Sequence, residues 1–240
     1  MRIAVLSDIH ANLPALDAVL ADAGPVDAVW HLGDVVGYGP DPDGVVDRLR
    51  DVGAIGVRGN HDSAAVGGPE IEDFNPDARA AMEWTRGRIG PSTRAWLAAL
   101  PLRREERGMT LVHGSPRDPI WEYILSGAIA RANLRAFETA WCLHGHTHVP
   151  IAFRTSGPTM ETLRPESGAV LPLDERRALL NPGSVGQPRD GIPESSYLVL
   201  DLSAGDASWH RVPYDIAAVQ AAMRGARLPW RLVERLSLGL

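Results

Sequence analysis

The chain has 240 residues, 45% of them hydrophobic and 22% charged, an ordinary globular composition that excludes disorder, collagen and coiled coil. A net charge of −6 argues against long nucleic acid as a partner, and the absence of lysine among 24 basic residues excludes Schiff-base chemistry and the lysine-dependent phosphate loop. No run approaches the roughly 20 apolar residues of a membrane span, and one cysteine, Cys142, cannot close an intramolecular disulfide, so a reducing, cytoplasmic setting with no membrane partner is expected.

Apolar runs and helical stretches alternate through the first half. Ile3–Leu6 meets Ser7 and Asp8 too early for a secretory leader and reads as a strand. Leu13–Ala23 reads as a helix, Ala28–Leu32 as a strand, Val45–Val52 as a helix and Ala54–Val57 as a third strand. Residues 63–100 lean helical, with Pro76 placed to start one helix and Ser92 to cap another. Met109–Val112 and Ala140–Leu143 are further strands around a helix near Ala128–Phe137. This rhythm predicts α/β architecture with largely parallel strands.

After His148 the texture changes. Ile151–Thr155, Met160–Leu163, Ala178–Leu180, Ser196–Leu202 and Ala207–Val212 are strand-like, closed by a helix from about Asp215 to Arg224. They predict a second, mostly antiparallel sheet. No linker-like or repeated segment separates the halves. Residues 1–240 are therefore expected to form one α/β domain, two packed mixed sheets flanked by helices, with a helical segment around 63–100.

The ends of the apolar runs are more informative than the runs themselves. Five strands deliver Asp, Asn or His at their carboxyl ends: Asp8 and His10, Asp34, Asn60 with His61 and Asp62, His113, and His146 with His148. In open α/β sheets that edge is where ligands bind. Imidazole and carboxylate without thiolate suit borderline to hard divalent cations, and a carboxylate such as Asp34 can bridge two of them. One Asp-x-His alone says little; five such blocks in order say a great deal.

The series Asp8-x-His10, Gly33-Asp34, Gly59-Asn60-His61-Asp62, His113 and Gly145-His146-x-His148 resembles the calcineurin-like metallophosphoesterase superfamily. Ser7–Asn12, Gly33–Pro40 and Asn181–Arg189 look like its small bacterial phosphodiesterase branch. The resemblance implies an α/β/β/α sandwich and a site of two divalent ions, manganese first, with iron, zinc, cobalt or nickel as alternatives. By position, Asp8, His10, Asp34 and His148 would hold one ion. Asp34, Asn60, His113 and His146 would hold the other. A bridging hydroxide would then attack phosphorus of a small phosphodiester, with His61 assisting the leaving group or the developing charge. The alternatives are a phosphomonoesterase, a nucleoside-polyphosphate hydrolase, or a scaffold that keeps the fold without catalysis. Gly37 stands where the protein phosphatases of the superfamily carry an acid, which weakens that reading.

Other residues carry a functional and a structural reading side by side. Asn12 could reach a phosphate or cap the Leu13 helix. His31 and His144 could orient ligands or sit in the core, and Arg189 could approach substrate or lie on the surface. His210 and the dispersed tryptophans read as structure, and the mixed run Arg103–Arg107 as a solvated face.

Overall fold

The computed structural model describes residues 1–240, apart from the side chain of Glu70. Strand β1 (Arg2–Leu6) has core on both faces: Ala4 and Leu6 point to one side, Ile3 and Val5 to the other, and all four are fully buried. Helix α1 (Leu13–Ala23) leads into β2 (Ala28–His31), which runs parallel to β1. Helix α2 (Pro42–Asp51) begins three residues before the expected Val45, capped by Asp41 with Pro42 at its first position. Proline fits there because the N–H it lacks would have no partner in the helix. Strand β3 (Ile55–Gly56) then pairs parallel with β2.

The helical segment contains α3 (Asn60–Ala65), a 3-10 turn at Pro69–Asp73, α4 (Pro76–Arg88) and α5 (Pro91–Ala99). Ser92 is not the cap expected of it. Gly90 holds that position and Pro91 opens α5, while the Ser92 hydroxyl accepts from Arg50 at 2.8 Å. Strands β4 (Arg103–Glu106) and β5 (Met109–Val112), helix α6 (Gly127–Asn133) and β6 (Trp141–Leu143) follow. Next come β7 (Ile151–Ser156), β8 (Thr159–Leu163), β9 (Val170–Pro172) and β10 (Ala178–Asn181). Strands β11 (Ser195–Asp201) and β12 (Asp206–Val212) and helices α7 (Ile216–Gly225) and α8 (Trp230–Glu234) end the chain.

The halves of the chain do not form separate sheets, contrary to expectation. One sheet has the order β3-β2-β1-β11-β12-β9 and the other β4-β5-β6-β10-β7-β8. Strand β11 lies antiparallel beside β1, matching Ile3 with Leu200 and Val5 with Leu198. Strand β10 runs parallel to β6 and antiparallel to β7. Each sheet is thus mixed, and each combines strands from both halves of the chain.

The sheets pack face to face through Ile3, Val5, Trp30 and Leu32 of the first and Met109, Leu111, Leu143 and Leu180 of the second. Helices α1, α2, α4 and α5 cover the outer face of the first sheet. Helix α6 and Phe137 cover the outer face of the second. The result is an α/β/β/α sandwich. Burying each large apolar side chain in these layers contributes about 1.5–3 kcal/mol, which fixes which edge of the strands is free to hold polar groups. No described helix is long and apolar enough to cross a membrane.

Candidate metal centre at the strand ends

The loops that follow β1, β2, β3, β5 and β6 converge at one edge of the sandwich. Asp8, His10, Asp34, Asn60, His61, His113, His146 and His148 meet there, each no more than 4% exposed. Asp8, His10, Asp34, His146 and His148 all have φ between 50° and 67°, the left-handed region that non-glycine residues enter at a cost of about 1–3 kcal/mol each. The strain is held by backbone pairing between loops: Asp8 N–H donates to Gly33 O at 3.1 Å and His10 N–H to Asp34 O at 3.0 Å. From the second half, Val185 and Gly186 N–H donate to Ser7 O and Asp8 O, each at 3.0 Å.

Two groups of ligand atoms result, Asp8 with His10, Asp34 and His148, and Asp34 with His113 and His146. Asp34 belongs to both. Its Oδ2 lies 3.7 Å from His10 Nε2 and 3.4 Å from His113 Nε2, while its Oδ1 accepts from His61 N–H at 2.9 Å. Asn60 Oδ1 sits 3.0 Å from His113 Nε2.

The ring nitrogens show what this cluster fits. His10 Nδ1 donates to Val36 O at 3.2 Å and His148 Nδ1 to Gln187 O at 2.6 Å. A neutral imidazole has one N–H, so both Nε2 atoms present bare lone pairs, and they face each other at 3.1 Å. His113 Nδ1 likewise donates to Leu32 O, which directs Nε2 toward Asn60 Oδ1 and Asp34. Asp8 Oδ1 is buried without a hydrogen-bond partner, 3.3 Å from His148 Nε2. Acceptors crowded against acceptors need a cation between them. The donor set fits divalent metal ions, and carbonyls behind the imidazoles fix the tautomers that bind metal.

The electrostatics agree. Burial raises the Asp8 carboxyl to about 7 against the pull of His113. Burial would raise Asp34 as well, yet His113 and His61 hold it well below the usual carboxylate range. Burial drives His10, His146 and His148 far below the ordinary imidazole value and takes His61 to about 4. In His113 burial is outweighed by Asp34, which pushes it up to about 9. A metal ion must displace that last proton, so binding would release it.

The remaining expectations resolve differently. His61 is wedged among His10, Tyr38 and Phe74, with ring centroids 4.9, 4.4 and 4.5 Å away. A Cβ at Gly37 would lie 2.4 Å from His61 Nδ1, and Gly37 has φ +91°, so no side chain fits at that position. Asn12 acts as the cap: its Oδ1 accepts from Ala15 N–H at 3.2 Å and its Nδ2 donates to Gly186 O at 3.0 Å. Its side chain is buried, at 1% exposure. His31 packs beside Trp96, and His144 Nδ1 lies 3.3 Å from Asn181 Nδ2. His210 stacks on Tyr197, and Arg103–Glu106 is an edge strand whose charges pair along it.

Sequence reasoning passed over two features of the site and left open a third, Arg189. Asp62, read only as part of a motif, accepts from Val35, Val36 and Gly59 N–H at 2.8, 3.1 and 3.0 Å, and so ties the loops after β2 and β3 together. Arg189 is half-buried beside the cluster, its guanidinium 5.8 Å from the Tyr38 ring. Phe74, Trp121 and Tyr123 make ring contacts beside His61 and His146. No periodicity marks residues in loops.

Residues 1–205 match the calcineurin-like phosphoesterase superfamily domain, and the chain belongs to that superfamily. It is similar to the crystal structure of a metallophosphoesterase from Sphaerobacter thermophilus, with 47% identity, TM-score 0.93, and 100% of this chain and 99% of that one covered. Among curated proteins it is 37% identical to the uncharacterized protein MJ0912 of Methanocaldococcus jannaschii, over 99% of this chain and 98% of the relative. It is also 29% identical to the phosphodiesterase YfcE of Escherichia coli, over 84% of this chain and 88% of that protein.

Proposed function

From membership of the calcineurin-like phosphoesterase superfamily, we propose that this protein hydrolyses small phosphodiesters at a site of two divalent ions, manganese first among them. The observation that carries the reading is the single Asp34 oxygen, Oδ2, that lies between His10 Nε2 and His113 Nε2. Asp8, His10 and His148 would hold one ion, Asn60, His113 and His146 the other, and Asp34 both. Two ions so held would supply an acidified water near neutral pH and positive charge to offset the phosphate.

The protein's own groups do the rest. The carbonyls of Val36, Gln187 and Leu32 keep three imidazoles in the metal-binding tautomer. In hydrolysis a water oxygen bonds to phosphorus, one ester P–O bond breaks, and the leaving oxygen takes up a proton. Burial keeps His61 neutral, and a neutral imidazole still donates one N–H to a developing negative charge. That favours charge stabilisation over full proton transfer as its role.

Elemental analysis with a bis(4-nitrophenyl) phosphate assay tests the reading. About two transition-metal ions per chain are expected, as a two-metal site requires. Chelation should abolish hydrolysis and manganese should restore it. Full activity after exhaustive chelation, with no metal left by elemental analysis, overturns the proposal.

A further inference from the structure

The loop between β5 and α6 contributes no metal-ligating group of its own beyond His113 at its start, yet it delivers two aromatic rings to the mouth of the cluster. Tyr123 stacks on the His146 imidazole, centroids 3.9 Å apart and planes 20° apart. The residue is nevertheless 41% exposed, so one face rests on the cluster while the ring remains open to solvent. Trp121 meets the same imidazole edge-on at 6.2 Å, and Phe74 packs edge-on to Trp121 at 6.0 Å. Phe74 in turn lies against His61. A continuous aromatic wall therefore runs from His61 to His146.

The loop is braced rather than slack. Glu122, between the two aromatics, accepts from the Ser115 hydroxyl at 2.6 Å and from Asn133 Nδ2 at 2.7 Å, and it pairs with Arg117. Asp118 Oδ1 accepts from Ile120 and Trp121 N–H at 3.2 and 3.1 Å. Ile124 is fully buried in the apolar layer beneath α6. Glu122 and Ile124 turn inward, so Trp121 and Tyr123 are presented outward with their backbone already fixed. Tyr123 thus combines a stacked contact on His146 with 41% exposure to solvent. Held rigid beside a phosphoester site, it is a preorganised surface for another flat ring.

We propose that Tyr123 and Trp121 form a leaving-group subsite, so that the preferred diesters carry a planar aromatic ring, a nucleobase or an aryl group, on the departing ester oxygen. This rests on the phosphodiesterase reading above and names the substrate class of the same site. The nucleobase and aryl cases share one chemistry, stacking, and differ in reach: the aryl ring is bonded to the ester oxygen, whereas the base stands a sugar away.

The test uses wild type, Tyr123→Ala, Trp121→Ala and Tyr123→Phe, each loaded with manganese. Three diesters serve as substrates: the methyl ester of adenosine 5′-monophosphate, methyl 4-nitrophenyl phosphate and methyl glycerol phosphate. Separately, binding of adenosine 5′-monophosphate and of inorganic phosphate is measured by calorimetry. For at least one aromatic diester, Tyr123→Ala should lower kcat/KM by about 5- to 150-fold, the loss one base–aromatic stack represents, and Trp121→Ala should lower it in the same direction. The glycerol diester should change less than about threefold in both variants, and Tyr123→Phe should match wild type. The aromatic diester affected identifies the ring that is read. Wild type should bind adenosine 5′-monophosphate more tightly than phosphate, and Tyr123→Ala should erase the difference.

Equal losses on all three diesters, or no loss on any, overturn the subsite while leaving the phosphodiesterase reading intact. Tyr123-dependent nucleotide binding without hydrolysis of any diester leaves the subsite standing and overturns that reading. If wild type binds the nucleotide no better than phosphate and the aromatic diesters show no Tyr123 dependence, the subsite is wrong.

Discussion

The two donor groups that share Asp34 are built in different ways. Around His10 and His148 both imidazoles are tied through Nδ1 to backbone carbonyls, and both rings are at least 98% buried. Around His113 and His146 only His113 is tied in this way. His146 turns Nδ1 inward, 3.0 Å from His113 Nε2, while its Nε2 has no partner. Its flank is covered by Tyr123, a partly exposed side chain. Backbone carbonyls set both imidazoles of the first group but only one of the second. The first should therefore hold its ion more tightly, and the second should be the one that exchanges.

The largest effect should come from the residue that removes the distinction. Asp34→Asn takes a charge from both groups at once and should lose both ions, lowering turnover by at least about 10⁴-fold, since each factor of ten needs only about 1.4 kcal/mol of lost charge stabilisation. Metal analysis of the purified variant checks it, and an Asn variant that keeps both ions breaks the assignment of the bridge.

His61→Ala should keep both ions and still lose roughly 10²–10³-fold in turnover, as removal of one donor to a developing charge does. Comparing nitrophenyl with alkyl leaving groups sharpens the role. A nitrophenolate needs no proton, so a larger loss on alkyl esters points to proton delivery, and equal losses point to charge stabilisation.

Chelator titration of wild type addresses the asymmetry itself. The two ions should leave in separate steps, with affinities differing by about 10-fold or more, the usual effect of groups that orient a ligand. His146→Ala should remove the weaker step and His148→Ala the tighter one. The reverse assignment would break the comparison.

The smallest effect concerns the acid limit within which these titrations can be read. Burial, with Arg104 adding to it, lowers His31 to about 3, and neither of its ring nitrogens has a described partner. Because the folded value lies below that of the unfolded chain, about 6.5, His31 stays neutral in the fold. Its contribution is complete above about pH 6.5 and is lost as pH falls toward 3, at about 1.4 kcal/mol per unit. Urea midpoints at pH 7 and pH 5 should therefore differ less in His31→Phe than in wild type; an unchanged difference would refute the assignment.

The parts of the site that were legible in the sequence share a local signature. Asp8 and His10, Asn60 and His61, and His146 and His148 each sit just past an apolar run, where chain direction alone places them at one edge. The aromatic wall has no such signature, because Phe74 follows a 3-10 turn and Trp121 and Tyr123 lie in a loop whose course depends on Glu122 and Asp118. Layering was legible for a similar reason: alternation along β1 demands core on both faces. The partnering of β1 with β11 was not, because strands carry no address for a neighbour almost 200 positions away. The edge strand β4 escaped notice since its Arg–Glu alternation, with charges in solution, reads the same in a loop.

That pairing of β1 with β11 also has a temporal consequence. Ser7 and Asp8 are among the earliest residues translated, yet the amides that donate to their carbonyls belong to Val185 and Gly186. A chain halfway through synthesis already carries Asp8, His10, Asp34 and Asn60 but has neither the strand that flanks β1 nor the loop that pairs with Ser7 and Asp8. Contacts this distant in sequence close late and slowly. Completion of the cluster's backbone bracing therefore waits for the last third of the polypeptide.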